Sequence, residues 1–259
     1  MPFVHQLLDP AAQPTIPKGL CALGIMTKAP KPGRVKTRLS PPLTPEEAAG
    51  LNASFLRDTS AAISRAAETG KAIGIGVYTP KGEEAAFAGI LPEDFALIPQ
   101  RGDAFGERLR FATEDLLRVG FDSACLINSD SPTVPAHAYQ DAATFLHEPG
   151  DRIVFGPSDD GGYYLIGMKR HHRRLFEEID WSTERVAEQT LARAAELKLE
   201  VRLLPTWYDV DDRATLRRLC DELLGSPATA RDGFAASQTR SYLQAIIEKE
   251  GRDRIWPNE

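Results

Sequence analysis

A chain of 259 residues, 42% hydrophobic and 26% charged, is long enough to bury one substantial core, and a single large domain is the expectation. A formal net charge of −6 and a pI near 5.5 argue against a nucleic-acid binder, whose affinity rests on clustered Lys and Arg neutralising phosphates. Cys21 and Cys125 lie in apolar runs, and neither a basic-then-apolar leader nor about 18 consecutive apolar residues occurs, so the reading is a reduced, cytoplasmic protein without membrane partners.

In chain order, residues 1–18 carry four prolines and little periodicity, which predicts an extended arm laid over the surface or partly disordered. Folding proper begins near Gly19, and Leu20–Met26 reads as the first strand. Thr27 to Leu39 then reads TKAPKPGRVKTRL, holding Lys28, Lys31, Arg34, Lys36 and Arg38 and no acid. Two prolines and Gly33 prevent a helix there, and the loop lies just past a strand's carboxyl end, where doubly wound sheets place their ligands. Its main-chain N–H groups with Lys28, Gly33, Arg34, Lys36 and Arg38 would cradle a polyphosphate. A solvated surface loop is the plainer alternative, and the glycine pattern of a Walker loop is absent.

Thr44-Pro45-Glu46-Glu47 combines a Thr cap, Pro at the first helical position and Glu at the third, which opens a helix. Leu51, Phe55, Thr59, Ala62 and Ala66 recur on its inner face. Ala72–Tyr78 and Phe95–Ile98 read as strands, and Phe105 to Val119 as a helix presenting Leu109, Ala112 and Leu116. The strand Ser123–Ile127 ends in Asn128-Ser129-Asp130-Ser131-Pro132, delivering Asp130 to the sheet's carboxyl edge. Asp130 either coordinates a hard cation there or opens an Asp-Ser-Pro turn. A helix is expected over Ala136–Leu146.

Ile153–Phe155 and Tyr163–Met168 read as strands flanking Gly156-Pro157-Ser158-Asp159-Asp160-Gly161-Gly162. That segment is a hairpin turn or a place of close approach to a ligand, with Asp160 a substrate contact or base. Asp159, Gly161, Gly162 and Tyr163 accompany it as substrate-binding candidates. Trp181-Ser182-Thr183 reads as a helix start, with Trp181 either packed or stacking on a ligand. A helix over Thr183–Leu197 and a strand over Val201–Leu204 follow. Asp209 and Asp211 in Trp207-Tyr208-Asp209-Val210-Asp211-Asp212 share a face if that strand continues, and one of them would complete a metal site with Asp130. Asp212 reads as the cap of a helix over Arg213–Leu224. Gly225–Gln238 is a polar break, and Thr239–Lys249 a terminal helix. The alternation of strands and helices predicts a three-layer α/β/α domain around a mainly parallel sheet. Its expected limits are 19–224, with residues 1–18 an extension and 225–259 a helical tail on the same domain.

Together, MTKAPKPGRVKTRLSPPLTPEEAA, FGERL, INSDSPTVP, GPSDDGGYYLIGM, WST and WYDVDD resemble a glycosyltransferase-like family found beside radical-SAM and selenodomain proteins, over roughly Gly19 to Leu224. More distantly, the Lys36-Thr37-Arg38-Leu39 loop and the Asp-Val-Asp block are similar to 2-phospholactate guanylyltransferase and molybdenum cofactor guanylyltransferase. The resemblance implies the GT-A, or nucleotide-diphospho-sugar transferase, fold. It also implies nucleotide bound over the first strand-to-helix loop, with Mg²⁺ (or Mn²⁺) held by Asp130 and by Asp209 or Asp211. Two departures stand out: Pro30-Lys31-Pro32-Gly33 replaces a Gly-Gly signature, and Asp212 stands where a Thr is usual.

The expected chemistry is nucleotidylyl transfer from a nucleoside triphosphate to a small phosphorylated or carboxylated acceptor. Lys36 and Arg38 would stabilise charge on the α-phosphate and the leaving pyrophosphate. Glycosyl transfer from a nucleotide sugar, with Asp160 as base, is the alternative. A non-catalytic nucleotide-binding module is a third.

Overall fold

The structure is a computed structural model, and it describes residues 3–14, 16–225 and 232–257. Seven strands, β1 (Cys21–Lys28), β2 (Ala72–Thr79), β3 (Ala96–Pro99), β4 (Ser123–Ile127), β5 (Arg152–Pro157), β6 (Tyr163–Met168) and β7 (Glu200–Leu203), form one sheet in the order β3-β2-β1-β4-β6-β5-β7. Every neighbouring pair is parallel except the two that β6 makes, with β4 and β5. The reversal follows from the chain: five residues rich in Asp and Gly link β5 to β6, too few for a crossover helix and enough for a hairpin.

Period-two alternation in the strands sorts the core into two layers. In β1, Cys21, Leu23 and Ile25 face one apolar cluster and Ala22 the other. The first layer takes α1 (Pro45–Ala67), α3 (Ala136–His147), α5 (Arg213–Leu224) and α6 (Ser237–Glu250). The second takes α2 (Phe105–Arg118) and α4 (Val186–Glu196). The capping box opens α1 as its sequence requires: Glu47 N donates to Thr44 Oγ1 at 3.2 Å, and Thr44 N donates to a Glu47 carboxylate oxygen at 2.8 Å. The inner face of α1 is buried throughout. Asp58 on α1 accepts from the backbone N–H groups of Gln238 and Thr239 at 3.1 and 2.7 Å, so one buried carboxylate caps α6 from another helix.

Two local expectations change. The arm does not merely overlie the surface. Leu97 N donates to Gln6 O and Leu8 N to Leu97 O, both at 2.8 Å, so residues 6–8 extend the sheet past β3, and His5 is buried with its ring on the Phe95 and Phe87 carbonyls. That covers one sheet edge. α4 begins at Val186 rather than Thr183, because Ser182 sits at φ +65° and the Thr183 hydroxyl donates to Asp180 O at 2.7 Å, closing a turn first. Within the polar break expected over 225–238, residues 226–231 lie outside the described residues.

Candidate active site

The carboxyl ends of β1, β4, β5 and β7 and the amino end of β6 meet at one edge of the sheet, as the strand directions require. A cavity of about 650 Å³ opens there, lined by the basic residues Lys28, Arg34, Lys36 and Arg38 together with Asp130, Asp160, Asp209, Asp211 and Trp181. Residues from distant parts of the chain therefore line a single cavity.

The basic loop leaves β1 hydrogen-bonded to β2 through Ala29 N and Thr79 O at 2.8 Å, and turns at 31–34. Val35 and Leu39 are buried and anchor it, while Lys36 takes a left-handed conformation at φ +49° before one 3₁₀ turn at Thr37–Leu39. The Lys36 side chain is only 4% exposed. Its Nζ lies 2.6 Å from Asp130 Oδ1, 2.9 Å from Asp211 Oδ1 and 2.8 Å from Val210 O. Burial opposes its charge, but Asp130 and Asp211 outweigh burial, and the Lys36 pKa is raised above the ordinary lysine value. Lys28, Arg34 and Arg38 line the same cavity and make no ion pair among the described residues.

Asp130 is held by its surroundings rather than left on a free turn. Ser129 Oγ donates to its Oδ1 at 3.1 Å, its backbone N donates to Asn128 Oδ1 at 3.3 Å, and its carbonyl accepts from Val210 N at 2.9 Å. That last bond clamps the end of β4 to the segment bearing the second acidic cluster. A bridge between Ser158 and Trp207, and Trp207 Nε1 donating to Thr133 Oγ1 at 3.0 Å, fix the same segment from both sides.

The acidic cluster departs from the expected geometry. β7 ends at Leu203, so strand alternation does not reach residue 209; both carboxylates still line the cavity, but they take different partners. Asp211 joins Asp130 on Lys36, whereas Asp209 accepts from Ser158 Oγ at 2.5 Å. Asp212 is a helix cap, accepting from Thr215 N at 2.9 Å. Among the described residues, no group of three or more His, Cys, Asp or Glu side chains is arranged to hold a metal ion. What the structure does assemble is a two-carboxylate seat already gripping a cation, the Lys36 ammonium. Magnesium needs only one or two carboxylates when water and phosphate oxygens supply the rest, so Asp130 and Asp211 fit such an ion, and Asp209 stands beside them.

Burial pushes the Asp209 carboxyl up to about 6; the Ser158 hydrogen bond opposes this, and the nearby Asp160, Asp211 and Asp130 charges add to it. Between about pH 4 and 6 the folded protein holds a proton that the unfolded chain has released, so this residue's contribution to stability falls as pH rises through that window. Asp209→Asn keeps an acceptor for Ser158 and removes the buried charge. It is expected to stabilise the fold by about 1 to 2 kcal/mol at pH 7.5, with the gain vanishing near pH 4. Urea unfolding at both pH values measures this, and a gain independent of pH contradicts it.

The remaining candidates separate. Asp160, Gly162, Tyr163 and Trp181 line the cavity. Asp160 also accepts from Gly162 N at 2.9 Å, so the segment is a hairpin turn and a cavity wall at once. Asp159 turns away to Arg218 Nη1 at 2.5 Å, and Gly33 sits at an exposed turn with open space around it. Gly161 lies behind the lining: its carbonyl accepts from Ala187 N at 2.8 Å, and a Cβ there would fall 2.0 Å from Glu184 O. Trp181 both packs and lines, meeting Phe105 edge-to-face at 5.3 Å between ring centroids.

Phe105, Asn52, Asn128 and Ser129 are lining residues that the sequence reading passed over. Asn52 carries a legible signal, a polar residue three before Phe55 on the apolar stripe of α1. It is 3% exposed, and its Oδ1 has no hydrogen-bond partner among the described residues. Phe105, a half-exposed aromatic at a helix start, is the other visible sign.

The protein family described as "Uncharacterized protein conserved in bacteria (DUF2064)" matches residues 62–183. No curated protein matches the chain. Among solved structures, a protein from Desulfovibrio desulfuricans G20 assigned to the nucleotide-diphospho-sugar transferases superposes with a TM-score of 0.74 at 29% identity, over 90% of this chain and 98% of that one. A nucleotidyl transferase from Methanothermobacter superposes with a TM-score of 0.51 at 14% identity, over 79% of this chain and 97% of the other. No described helix is long and apolar enough to cross a membrane. The chain therefore has the mixed α/β fold of the nucleotide-diphospho-sugar transferases and, over residues 62–183, matches the DUF2064 family.

Proposed function

We propose that this protein is a divalent-metal-dependent nucleotidylyltransferase, moving a nucleoside monophosphate group from a nucleoside triphosphate to a small phosphorylated or carboxylated acceptor with release of pyrophosphate. One observation carries the reading: four basic residues of the β1 loop and the Asp130–Asp211 pair line one cavity at the sheet's carboxyl edge, with Lys36 touching both carboxylates. A polyphosphate needs the first set, and its metal ion the second.

In this reading the acceptor oxygen attacks the α-phosphorus, the bond to the bridging oxygen breaks, and pyrophosphate departs with the bonding electron pair. Such a displacement needs positioning and charge stabilisation more than a protein nucleophile. Lys28 and Arg34 hold the outer phosphates, and Lys36 and Arg38 stabilise charge on the α-phosphate and the leaving group. Asp130 and Asp211 would hold Mg²⁺ or Mn²⁺, which when bound supplies positive charge to phosphate oxygens. Gly162, Tyr163, Trp181 and Phe105 wall the acceptor's end of the cavity, and Asp160 is the carboxylate there that can accept an acceptor proton.

Glycosyl transfer from a nucleotide sugar is the second reading, favoured by the same Asp160 in the cavity lining. The two differ in product. Incubating the protein and an acceptor mixture with nucleoside triphosphates, and separately with nucleotide sugars, is expected to release pyrophosphate in the first arm. Free nucleoside diphosphate in the second arm alone overturns the nucleotidylyl reading.

A further inference from the structure

We infer that the Lys36 ammonium is the resident counter-cation of the Asp130–Asp211 seat and competes with a free divalent ion for it. The ion binds tightly only when an incoming polyphosphate offers Lys36 another anionic partner. This rests on the reading of the cavity as a nucleotide site and goes beyond it, assigning Lys36 control over when the metal is admitted.

Three observations carry it. An ammonium has three N–H donors, and Lys36 Nζ has three oxygens within 2.9 Å, two from the carboxylates of the seat and one from the Val210 carbonyl beside it. The side chain is almost wholly buried, with its ammonium 5.5 Å from the centre of the Phe55 ring, so in the absence of another anion it rests in the seat rather than in solvent. It pairs with one oxygen of each carboxylate, so a metal ion bridging the pair would lie against it. A dication arriving with Lys36 in place shares both oxygens with a positive charge a few ångströms away, in a partly desolvated site where such repulsion is poorly screened.

A triphosphate reverses that balance, because it brings several negative charges to the cavity where Lys28, Arg34 and Arg38 are unpaired among the described residues. Lys36 then exchanges carboxylate for phosphate, and the seat opens. Linkage makes the effect reciprocal: nucleotide raises metal affinity by the factor by which metal raises nucleotide affinity. Metal and nucleotide thus enter together, and a metal-only complex is disfavoured.

The test uses Mn²⁺ alone, with free Mn²⁺ followed by electron paramagnetic resonance, so it needs neither nucleotide nor acceptor. Removing a phosphate-binding lysine would ordinarily leave free-metal affinity unchanged. Here Lys36→Met is expected to bind Mn²⁺ at least about 10-fold more tightly than wild type, and Lys36→Arg no more tightly than wild type. The gain disappears in Lys36→Met/Asp130→Asn.

Lys36→Met leaves two facing carboxylates without a counter-charge, so it should melt below wild type in chelator and recover more than wild type when Mn²⁺ is added. If it does not fold, Lys36→Gln, which keeps most of the stem, carries the same comparison. Equal or weaker Mn²⁺ binding in the folded variant overturns the proposal, as does a gain that survives the loss of Asp130. Absent transferase activity would leave a positive result standing, and a negative result here would leave the nucleotide reading standing.

Discussion

Asp130→Asn is expected to lower the rate of pyrophosphate release by about 100- to 1000-fold while leaving the fold intact, the range seen when one preorganised charge-stabilising contact is removed from an active site. The change is nearly isosteric, and the contacts that place residue 130 survive it: the Val210 N bond uses the backbone carbonyl, and the Asn128 contact uses the backbone N–H. What it removes is one of the two negative charges on Lys36 and half of the seat for a metal ion. The loss should fall on kcat/KM, because both metal and polyphosphate positioning depend on this residue. A variant that melts like wild type and keeps more than a tenth of the activity contradicts the assignment.

Gly161→Ala should have the largest effect on stability, at about 3 kcal/mol or more. Two costs combine: the residue sits at φ +87°, where an L side chain is strained, and its Cβ would fall 2.0 Å from Glu184 O, a backbone atom that cannot rotate aside. Gly82→Ala separates them, since Gly82 has φ +97° but nothing within 4 Å of an added Cβ, and it should cost only about 1 kcal/mol. Gly161 also accepts from Ala187 N and so joins the β5–β6 turn to the wall bearing Trp181. Chemical unfolding of both variants measures the difference, and equal costs would remove the steric argument.

Most of the architecture was legible because it rests on local rules. The Thr44–Glu47 capping box, the apolar stripe of α1 and the buried runs of β1 and β4 each obey a short-range period or cap, and each forms where those rules place it. The Lys36 contact with Asp211, 175 residues away, was not legible, because it exists only once the sheet order brings β1, β4 and the segment after β7 to one edge. The basic loop was conspicuous for its charge, but nothing local marked Lys36 as the residue turned inward. Asp209 and Asp211 share the cavity, but not through strand alternation, since β7 stops at Leu203 and the loop after it gives each carboxylate its own partner. The start of α4 moved for a similar reason, a local hydroxyl bond from Thr183 competing with the helix. Asn52 breaks the apolar stripe of α1 in the sequence, but that the break faces a cavity follows only from the fold, which leaves its Oδ1 without a partner among the described residues.

The central claim is that the cavity grips a nucleotide between the basic loop and the Asp130–Asp211 pair. Thermal unfolding of wild type and Asp130→Asn, each with a panel of nucleoside triphosphates and nucleotide sugars in the presence and absence of Mg²⁺, tests it most directly. At least one nucleoside triphosphate is expected to raise the wild-type melting temperature by several degrees only with Mg²⁺ present, and Asp130→Asn to lose most of that shift. No shift with any nucleotide, or an equal shift without Mg²⁺ and in Asp130→Asn, would contradict it.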